Sequence, residues 1–371
     1  MNKKKILHFF APLLLIMLIS VAYGAKPKTV TVTVETKKSS PTTQNVFAKT
    51  TEPIRGIYLT AWSSGLSKKM DNIIDFVGKT SVNALVIDVK DDTGYMTYPS
   101  NVPLAQTIGA NSEPRARHLK ELVARLKQNN IYTIARIVVF KDPLLAQKRL
   151  DLAVKSKTGG LWRDKKGKIW VDPSSEEVWR YNIEIAKEAV AMGFSEIQFD
   201  YVRFTSDGKI SNCVYPHSKG RAKEDIIHDF LATAKKELNG LGVPLSADIF
   251  GLVLTVSDDL NLGQQLEKIA SAVDYICPMT YPSHYPVGTF NIKSPNHHPY
   301  DMVYNSLKEG VRRLKAINST AKFRPWLQDF DLGEPPYNRK ELMEQIKALS
   351  DNGIQEWLFW NPRNKYDLSK Y

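Results

Sequence analysis

The sequence contains little cysteine and lacks the short motifs of several common catalytic classes. Its 371 residues include two cysteines, Cys213 and Cys277, which are too few for a disulfide framework. Cys277 lies in an apolar strand pattern typical of a buried free thiol, and a single bridge to Cys213 in an oxidising compartment is the alternative. The chain has no Gly-rich phosphate loop, no Gly-x-Ser-x-Gly elbow and no cysteines and histidines at metal-ligand spacing. We therefore expect neither a metal nor another cofactor.

Acidic residues are nearly absent from the first 50 positions, which hold eight lysines and one glutamate. Most of the net charge of +12 belongs to this part, so the high pI does not indicate nucleic-acid binding. Three lysines precede an uncharged apolar run at 6–23, and small residues follow it, which is the pattern of an export signal. We predict a signal peptide over 1–24, with an uncleaved membrane anchor as the alternative, and a flexible spacer over 25–52. Either reading places the rest of the chain outside the cytoplasm, as an extracellular or cell-surface protein.

From residue 53 onward, short β-rich runs alternate with longer amphipathic stretches. Eight such β-then-α units predict one α/β domain over 53–371 with the (β/α)8 TIM barrel fold. An open doubly wound sheet is the competitor, but it usually carries a Gly-rich loop after its first strand. Two connections are long: a hairpin insertion at 158–173 before strand four, and a loop at 281–299 after strand six. The predicted strands are 56–62, 84–90, 132–140, 197–204, 244–250, 273–281, 323–330 and 356–361.

Carboxylates stand at the C-terminal ends of the predicted strands, where barrel enzymes hold their functional residues. Asp200 and Asp248 end strands four and five, and adjacent strands lie ~4.8 Å apart. Such a pair suits glycoside hydrolysis, because one acid protonates the leaving oxygen while the other carboxylate faces the anomeric carbon. We assign Asp200 as nucleophile or oxocarbenium stabiliser and Asp248 as general acid. The predicted substrate-binding residues are Tyr58, Trp62, Asp88, Lys90, Arg136, Gln198, Met279, Tyr281, Trp326, Gln328 and Trp360.

Charged residues near the predicted carboxylate pair have structural interpretations as well. Asp88 and Lys90 fit an interior ion pair as readily as a substrate contact. Arg136 or Lys90 is expected to keep Asp200 ionised. Predicted strand four runs to Phe204, so we expect Arg203 on the face opposite Asp200, because side chains alternate along a strand.

Several motifs resemble those of a family of glycoside-hydrolase-like domains that was first catalogued as a domain of unknown function. The resemblance covers about 54–371 and implies a TIM-barrel, glycosidase-like fold found in exported bacterial proteins, without an established substrate. Asp200 is similar to the nucleophile position of the α-amylase and α-galactosidase types. The chain departs from the α-amylase type at strand five, where Asp248 stands in place of a Glu. The motifs are VIDVKDD at 86–92, ARIVVFKD at 135–142, WVDP at 170–173, IQFDYVRF at 197–204, PMTYP at 278–282, FRPWLQDF at 323–330 and WNP at 360–362.

These features predict a metal-free glycoside hydrolase that acts on an envelope or extracellular polysaccharide. The alternative is a non-catalytic polysaccharide-binding barrel of the cell envelope, which would keep the cleft without turnover. A metal-dependent polysaccharide deacetylase is disfavoured, because the chain lacks an Asp-plus-two-His pattern. We expect a polysaccharide or oligosaccharide as the partner, no nucleic acid, and a monomer.

Overall fold

Eight parallel strands form a closed barrel in the computed structural model, which describes residues 52–371. The predicted signal segment and the spacer up to residue 51 lie outside the described residues. Each strand pairs in parallel with the next strand along the chain, and the eighth strand pairs with the first. Between the sixth and seventh strands, Met279 pairs with Trp326 and completes the ring. The predicted TIM barrel fold is thereby confirmed. The strands are β1 (Arg55–Leu59), β2 (Ala84–Lys90), β3 (Tyr132–Val138), β4 (Glu196–Asp200), β5 (Leu245–Phe250), β6 (Tyr275–Met279), β7 in two segments (Lys322–Phe323 and Trp326–Gln328) and β8 (Trp357–Trp360).

Helices follow each of the first seven strands and cover the outside of the barrel. The helix that precedes β4 ends at Gly193, whose φ of +105° closes the helix in the left-handed conformation that glycine favours. The last helix begins with a capping box between Asn338 and Glu341. Within 52–371, no helix has the length and apolarity needed to cross a membrane. The helices are α1 (Ala61–Ser64), α2 (Ser67–Gly78), α3 (Pro103–Thr107), α4 (Leu119–Gln128), α5 (Pro143–Lys148), α6 (Glu176–Met192), α7 (Lys223–Asn239), α8 (Leu266–Ala272), α9 (Pro299–Ala316) and α10 (Arg339–Asp351).

Six strands end earlier than their sequence pattern predicts, and for β1 and β4 the structure shows a local cause. β1 ends at Leu59 because the Thr60 side chain accepts a hydrogen bond from the Ser63 N–H and starts α1. β4 ends at Asp200 because Tyr201 adopts a left-handed φ of +50°. The alternation of side chains between the two faces therefore stops at Leu59 and Asp200. The predicted extensions of these strands to Trp62 and Phe204 are wrong.

The stretch predicted as a hairpin before strand four forms isolated antiparallel bridges within the described residues. These bridges join Ala153 to Val171 and Lys155 to Leu161. The two-residue strand Lys155–Ser156 pairs with Cys213–Val214, which follows β4. The segments before and after β4 are therefore joined above the C-terminal end of that strand. Both cysteines are free thiols, and Cys277 is buried inside the barrel.

A buried ion cluster closes the N-terminal end of the barrel. The Arg324 side chain is fully buried, and its Nη1 donates to both carboxylate oxygens of Glu196 at 2.7 Å. Its Nε donates to Glu356 at 2.6 Å. Both glutamates stand at the starts of strands, so this cluster occupies the end opposite to the predicted catalytic site.

Candidate active site

A cleft of ≈ 400 Å³ opens at the C-terminal ends of the strands. It receives side chains from β3 to β8 and from the loops that follow β4, β5 and β6. Asp200 and Asp248, which the sequence predicts as a catalytic pair, both line it. The full lining is Arg136, Asp200, Tyr201, Arg203, Asp248, Phe250, Gly251, Leu252, Met279, Tyr281, His284, Tyr285, Trp326 and Trp360.

Hydrogen bonds hold the Asp200 carboxylate at both oxygens. Oδ2 accepts from Arg136 Nε at 3.0 Å and also from Arg136 Nη2. Oδ1 accepts from the Tyr201 backbone N–H at 2.5 Å, and Tyr201 itself adopts a left-handed conformation with a φ of +50°. A non-glycine residue in this conformation costs free energy, and such residues cluster at functional sites. Asp200 is therefore a charge-paired, oriented carboxylate at the floor of the cleft.

Arg136 also contacts Asp88, one step deeper in the barrel. Its Nη1 donates to Asp88 Oδ1 at 2.5 Å, and the Tyr58 hydroxyl donates to Asp88 Oδ2 at 2.6 Å. Burial raises the pKa of Asp88 to about 6, although the Arg136 charge and the two hydrogen bonds oppose this. Asp88 and Tyr58 do not line the cleft themselves. They position Arg136, which in turn positions Asp200.

The surroundings of Asp248 favour its protonated form. Burial raises the pKa of Asp248 well above its usual range, and the negative charge of Asp200 adds to this effect. The Arg136 charge and a hydrogen bond from Trp326 Nε1 to Asp248 Oδ1, 2.7 Å long, act in the opposite direction. Because Oδ1 accepts the indole N–H, the carboxyl proton belongs on Oδ2. The direction of this shift is the one that a proton donor in the cleft would need.

Aromatic side chains provide flat apolar surfaces beside the two carboxyls. Trp360 is half-buried and stacks on Tyr58 with ring centroids 3.8 Å apart. Trp326 meets the Trp360 ring edge-on at 5.4 Å. Tyr281 and Phe250 also line the cleft. Such faces pack against the apolar C–H patches of a sugar ring.

The structure places two predicted substrate-binding residues away from this cleft. Lys90 is fully buried and pairs with Asp142 at 2.7 Å, so neither the predicted pair with Asp88 nor a contact with Asp200 forms. A register shift between Asp88 and Lys90 rotates Lys90 to the helix-facing side of β2. Trp62 lies on α1, where it is 62% exposed and its ring stacks on Arg115 at 3.9 Å. It lines a separate hollow.

Two predicted glutamines lie beneath or beside the cleft and not in it. Gln198 shares the inward face of β4 with Asp200 but sits deeper, and its Nε2 donates to Cys277 Sγ at 3.3 Å. Gln328 accepts from the Ser283 N–H at 3.1 Å and donates to the Phe330 carbonyl at 3.0 Å. Gln328 therefore fastens the loop after β6 to the end of β7.

Seven cleft residues lie outside the predicted set: Tyr201, Arg203, Phe250, Gly251, Leu252, His284 and Tyr285. Tyr201 and Arg203 directly follow Asp200, and the left-handed turn at Tyr201 leaves Arg203 lining the cleft, contrary to its predicted placement. The DYVRF motif was the signal that could have indicated them. His284 comes from the long loop after β6, and partial burial lowers its pKa, which favours the neutral imidazole. Within residues 52–371, no group of three His, Cys, Asp or Glu side chains has the arrangement of a metal site.

The fold and the cleft define a TIM barrel of the glycoside-hydrolase type. A family model described as "Putative glycosyl hydrolase domain" matches residues 56–366, and the chain belongs to this family. A comparison with curated proteins found no match.

Solved structures share this architecture. The glycoside hydrolase domain of PgaB (BpsB) from Bordetella bronchiseptica superimposes with a TM-score of 0.61 at 15% identity, covering 84% of this chain and 94% of that chain. The α-L-fucosidase isoenzyme 2 from Paenibacillus thiaminolyticus gives 0.53 at 14% identity, over 86% of this chain and 48% of that one. A hypothetical protein from Ruminiclostridium thermocellum ATCC 27405 is 43% identical over 52% of this chain and 96% of its own, with a TM-score of 0.48. The first two similarities establish the fold.

Proposed function

We propose that this protein is a glycoside hydrolase that cleaves an envelope or extracellular polysaccharide with Asp200 and Asp248 as its catalytic pair. The observation that carries the proposal is the contrast between the two carboxyls of one cleft. Asp200 is paired with the Arg136 guanidinium, whereas burial and the charge of Asp200 raise the pKa of Asp248. Two acids whose environments separate their protonation states are what glycoside hydrolysis requires.

The proposed reaction begins with proton transfer from Asp248 to the glycosidic oxygen. As the bond between this oxygen and the anomeric carbon breaks, the Asp200 carboxylate stabilises the positive charge that develops on the sugar, as nucleophile or by its proximity. Asp248, now ionised, takes a proton from the water that completes hydrolysis. Arg136 keeps Asp200 oriented throughout, while Trp360 and Tyr281 hold the sugar ring.

The N-terminal sequence supports a location outside the cytoplasm. The basic start and the apolar run at 6–23 fit an export signal or a membrane tether. An exported barrel with such a cleft meets polysaccharides of the envelope or of the surroundings. This location supports the proposed substrate class.

New reducing ends are the direct test. The full-length chain would be incubated with a panel of envelope glycans, together with Asp200→Asn and with Asp225→Asn as control, since Asp225 lies exposed on α7 and pairs with Lys268. We expect wild type and the control to release reducing ends from the same glycan and Asp200→Asn to release none. Release that survives in Asp200→Asn would overturn the catalytic assignment.

A non-catalytic polysaccharide-binding barrel is the second candidate. Trp360 favours it, because an aromatic ring that lines the cleft and is backed by Tyr58 binds sugar without any chemistry. A glycan that binds but gives no reducing ends, with the same affinity for wild type and Asp200→Asn, would establish this second function.

A further inference from the structure

The guanidinium of Arg203 is buried at the cleft, and three of its five N–H donors have no acceptor among the described residues. The residue is 7% exposed and lines the cleft beside Asp200. Its Nη1 donates to the Phe204 carbonyl at 3.0 Å and to Ser206 Oγ at 2.9 Å. Among residues 52–371, Nε and Nη2 have no acceptor, yet neither is sealed from solvent as the unpartnered Nη2 of Arg324 is. Because Arg203 lines the cleft, we infer that these two nitrogens are open to a ligand there.

Nε and Nη2 form the side of a guanidinium that matches the two oxygens of a carboxylate. In four other arginines of residues 52–371, the same side is occupied by a carboxylate of the chain. In Arg313, Nε and Nη2 donate to the two oxygens of Glu267 at 2.7 and 2.6 Å. Arg149, Arg312 and Arg136 direct the same two nitrogens at Asp151, Glu309 and Asp200. In Arg203 this position is open.

The neighbours of Arg203 do not neutralise its charge. The guanidinium carbon lies 4.8 to 5.1 Å from the ring centroids of Trp170, Tyr201 and Phe250, and these contacts compensate only part of the cost of burying a cation. Burial lowers the pKa of Arg203, while Asp164, Asp200 and Asp207 act on it from a distance without a salt bridge. A buried cation of this kind favours an anionic ligand.

We propose that the Nε and Nη2 side of Arg203 binds the carboxylate of an acidic sugar, so that the substrate is a polysaccharide containing uronic acids or sugars with a carboxylate substituent. The planar carboxylate fits because it accepts from both nitrogens and cancels the charge. A neutral hydroxyl accepts hydrogen bonds but leaves the charge in place. The inference rests on the proposed sugar-binding cleft and narrows its substrate class.

Matched pairs of monosaccharides test this without requiring turnover. Dissociation constants of the full-length chain would be measured by NMR titration for D-glucuronate, D-galacturonate, D-mannuronate and N-acetylmuramate. Their neutral parents D-glucose, D-galactose, D-mannose and N-acetylglucosamine would be titrated under the same conditions. A charge-assisted bidentate pair predicts that at least one acid binds about tenfold or more tightly than its parent. Arg203→Gln should abolish this preference.

Two further variants complete the design. Arg203→Lys keeps the positive charge but loses the paired Nε and Nη2 donors. It should therefore retain only part of the preference for the acidic sugar. Arg312→Gln is the control, because Arg312 is exposed on α9 and its Nε and Nη2 already donate to Glu309. This variant should bind the sugars as the wild-type protein does. Melting curves of each variant would show that it is folded.

A neutral parent that binds as tightly as its acid in every pair would overturn the inference, as would a preference that survives in Arg203→Gln. If neither Arg203 variant folds, the wild-type comparison alone decides. The binding test and the test for reducing ends can fail independently of each other. Selective binding of an acid without any release of reducing ends would refute hydrolysis only, whereas hydrolysis of neutral glycans without acid preference would refute the role of Arg203 only.

Discussion

Removing the charge of Asp200 should lower the pKa of Asp248 by a measurable amount. The Asp200 charge raises the pKa of Asp248, and Arg136 opposes it. Two charges ~5 Å apart, the spacing of adjacent strands, interact by about 3 kcal/mol at an effective dielectric constant of ~20. One pKa unit corresponds to about 1.36 kcal/mol. Asp200→Asn should therefore lower the pKa of Asp248 by about two units, and the Arg136 charge, released from its partner, acts in the same direction.

The titration of the Asp248 carboxyl carbon reports this shift without a substrate. Protein labelled with ¹³C at aspartate carboxyls would be titrated by NMR, and Asp248→Asn would assign the resonance. Asp92→Asn is the control, because Asp92 is an exposed carboxylate after β2 that pairs with Lys141. It should change the pKa of Asp248 by a few tenths of a unit at most. An Asp248 pKa that is unchanged or raised in Asp200→Asn would refute electrostatic coupling of the pair.

Three further substitutions test other parts of the structure. Trp326→Phe removes the indole donor that favours ionised Asp248, so the same NMR titration should show a higher pKa, and a lower one would contradict the assigned hydrogen bond. Arg324→Met leaves Glu196 buried without its partner and should lower the free energy of unfolding by about 3–5 kcal/mol in urea denaturation; a change below about 1 kcal/mol would contradict the buried ion cluster. Gly251→Ala places a Cβ 2.5 Å from the backbone carbonyl oxygen of Met279, so the cleft wall must move and the melting temperature should fall. A melting temperature equal to that of the wild-type protein would contradict this contact.

The barrel itself could be predicted from the sequence. Alternating β-rich and amphipathic stretches, without a phosphate loop after the first, indicate eight parallel strands with helices outside. Parallel strands present their C-terminal ends at one rim, so Asp200 and Asp248 were placed on neighbouring strands from order alone. Strand pairing in the structure agrees, since β4 pairs with β5.

Local backbone irregularities account for the residues that were misplaced. Alternation predicts that Asp88 and Lys90 share a face, but the register shift between them separates the two, so that Asp88 meets Arg136 and Lys90 meets Asp142. The left-handed Tyr201 ends β4 and leaves Arg203 lining the cleft. A bulge or a positive φ at a non-glycine residue is set by tertiary contacts and leaves no periodic trace in the sequence.

Turnover by the two single carboxyl variants is the most direct measurement of the central claim. Asp200→Asn and Asp248→Asn would be assayed for reducing ends on the glycan that the wild-type protein cleaves, with melting curves to show that each is folded. The predicted result is loss of turnover by at least about a thousandfold in both, because each group acts in the same transition state. A folded variant of either residue that turns over at the wild-type rate would contradict the claim that these two acids together cleave the substrate.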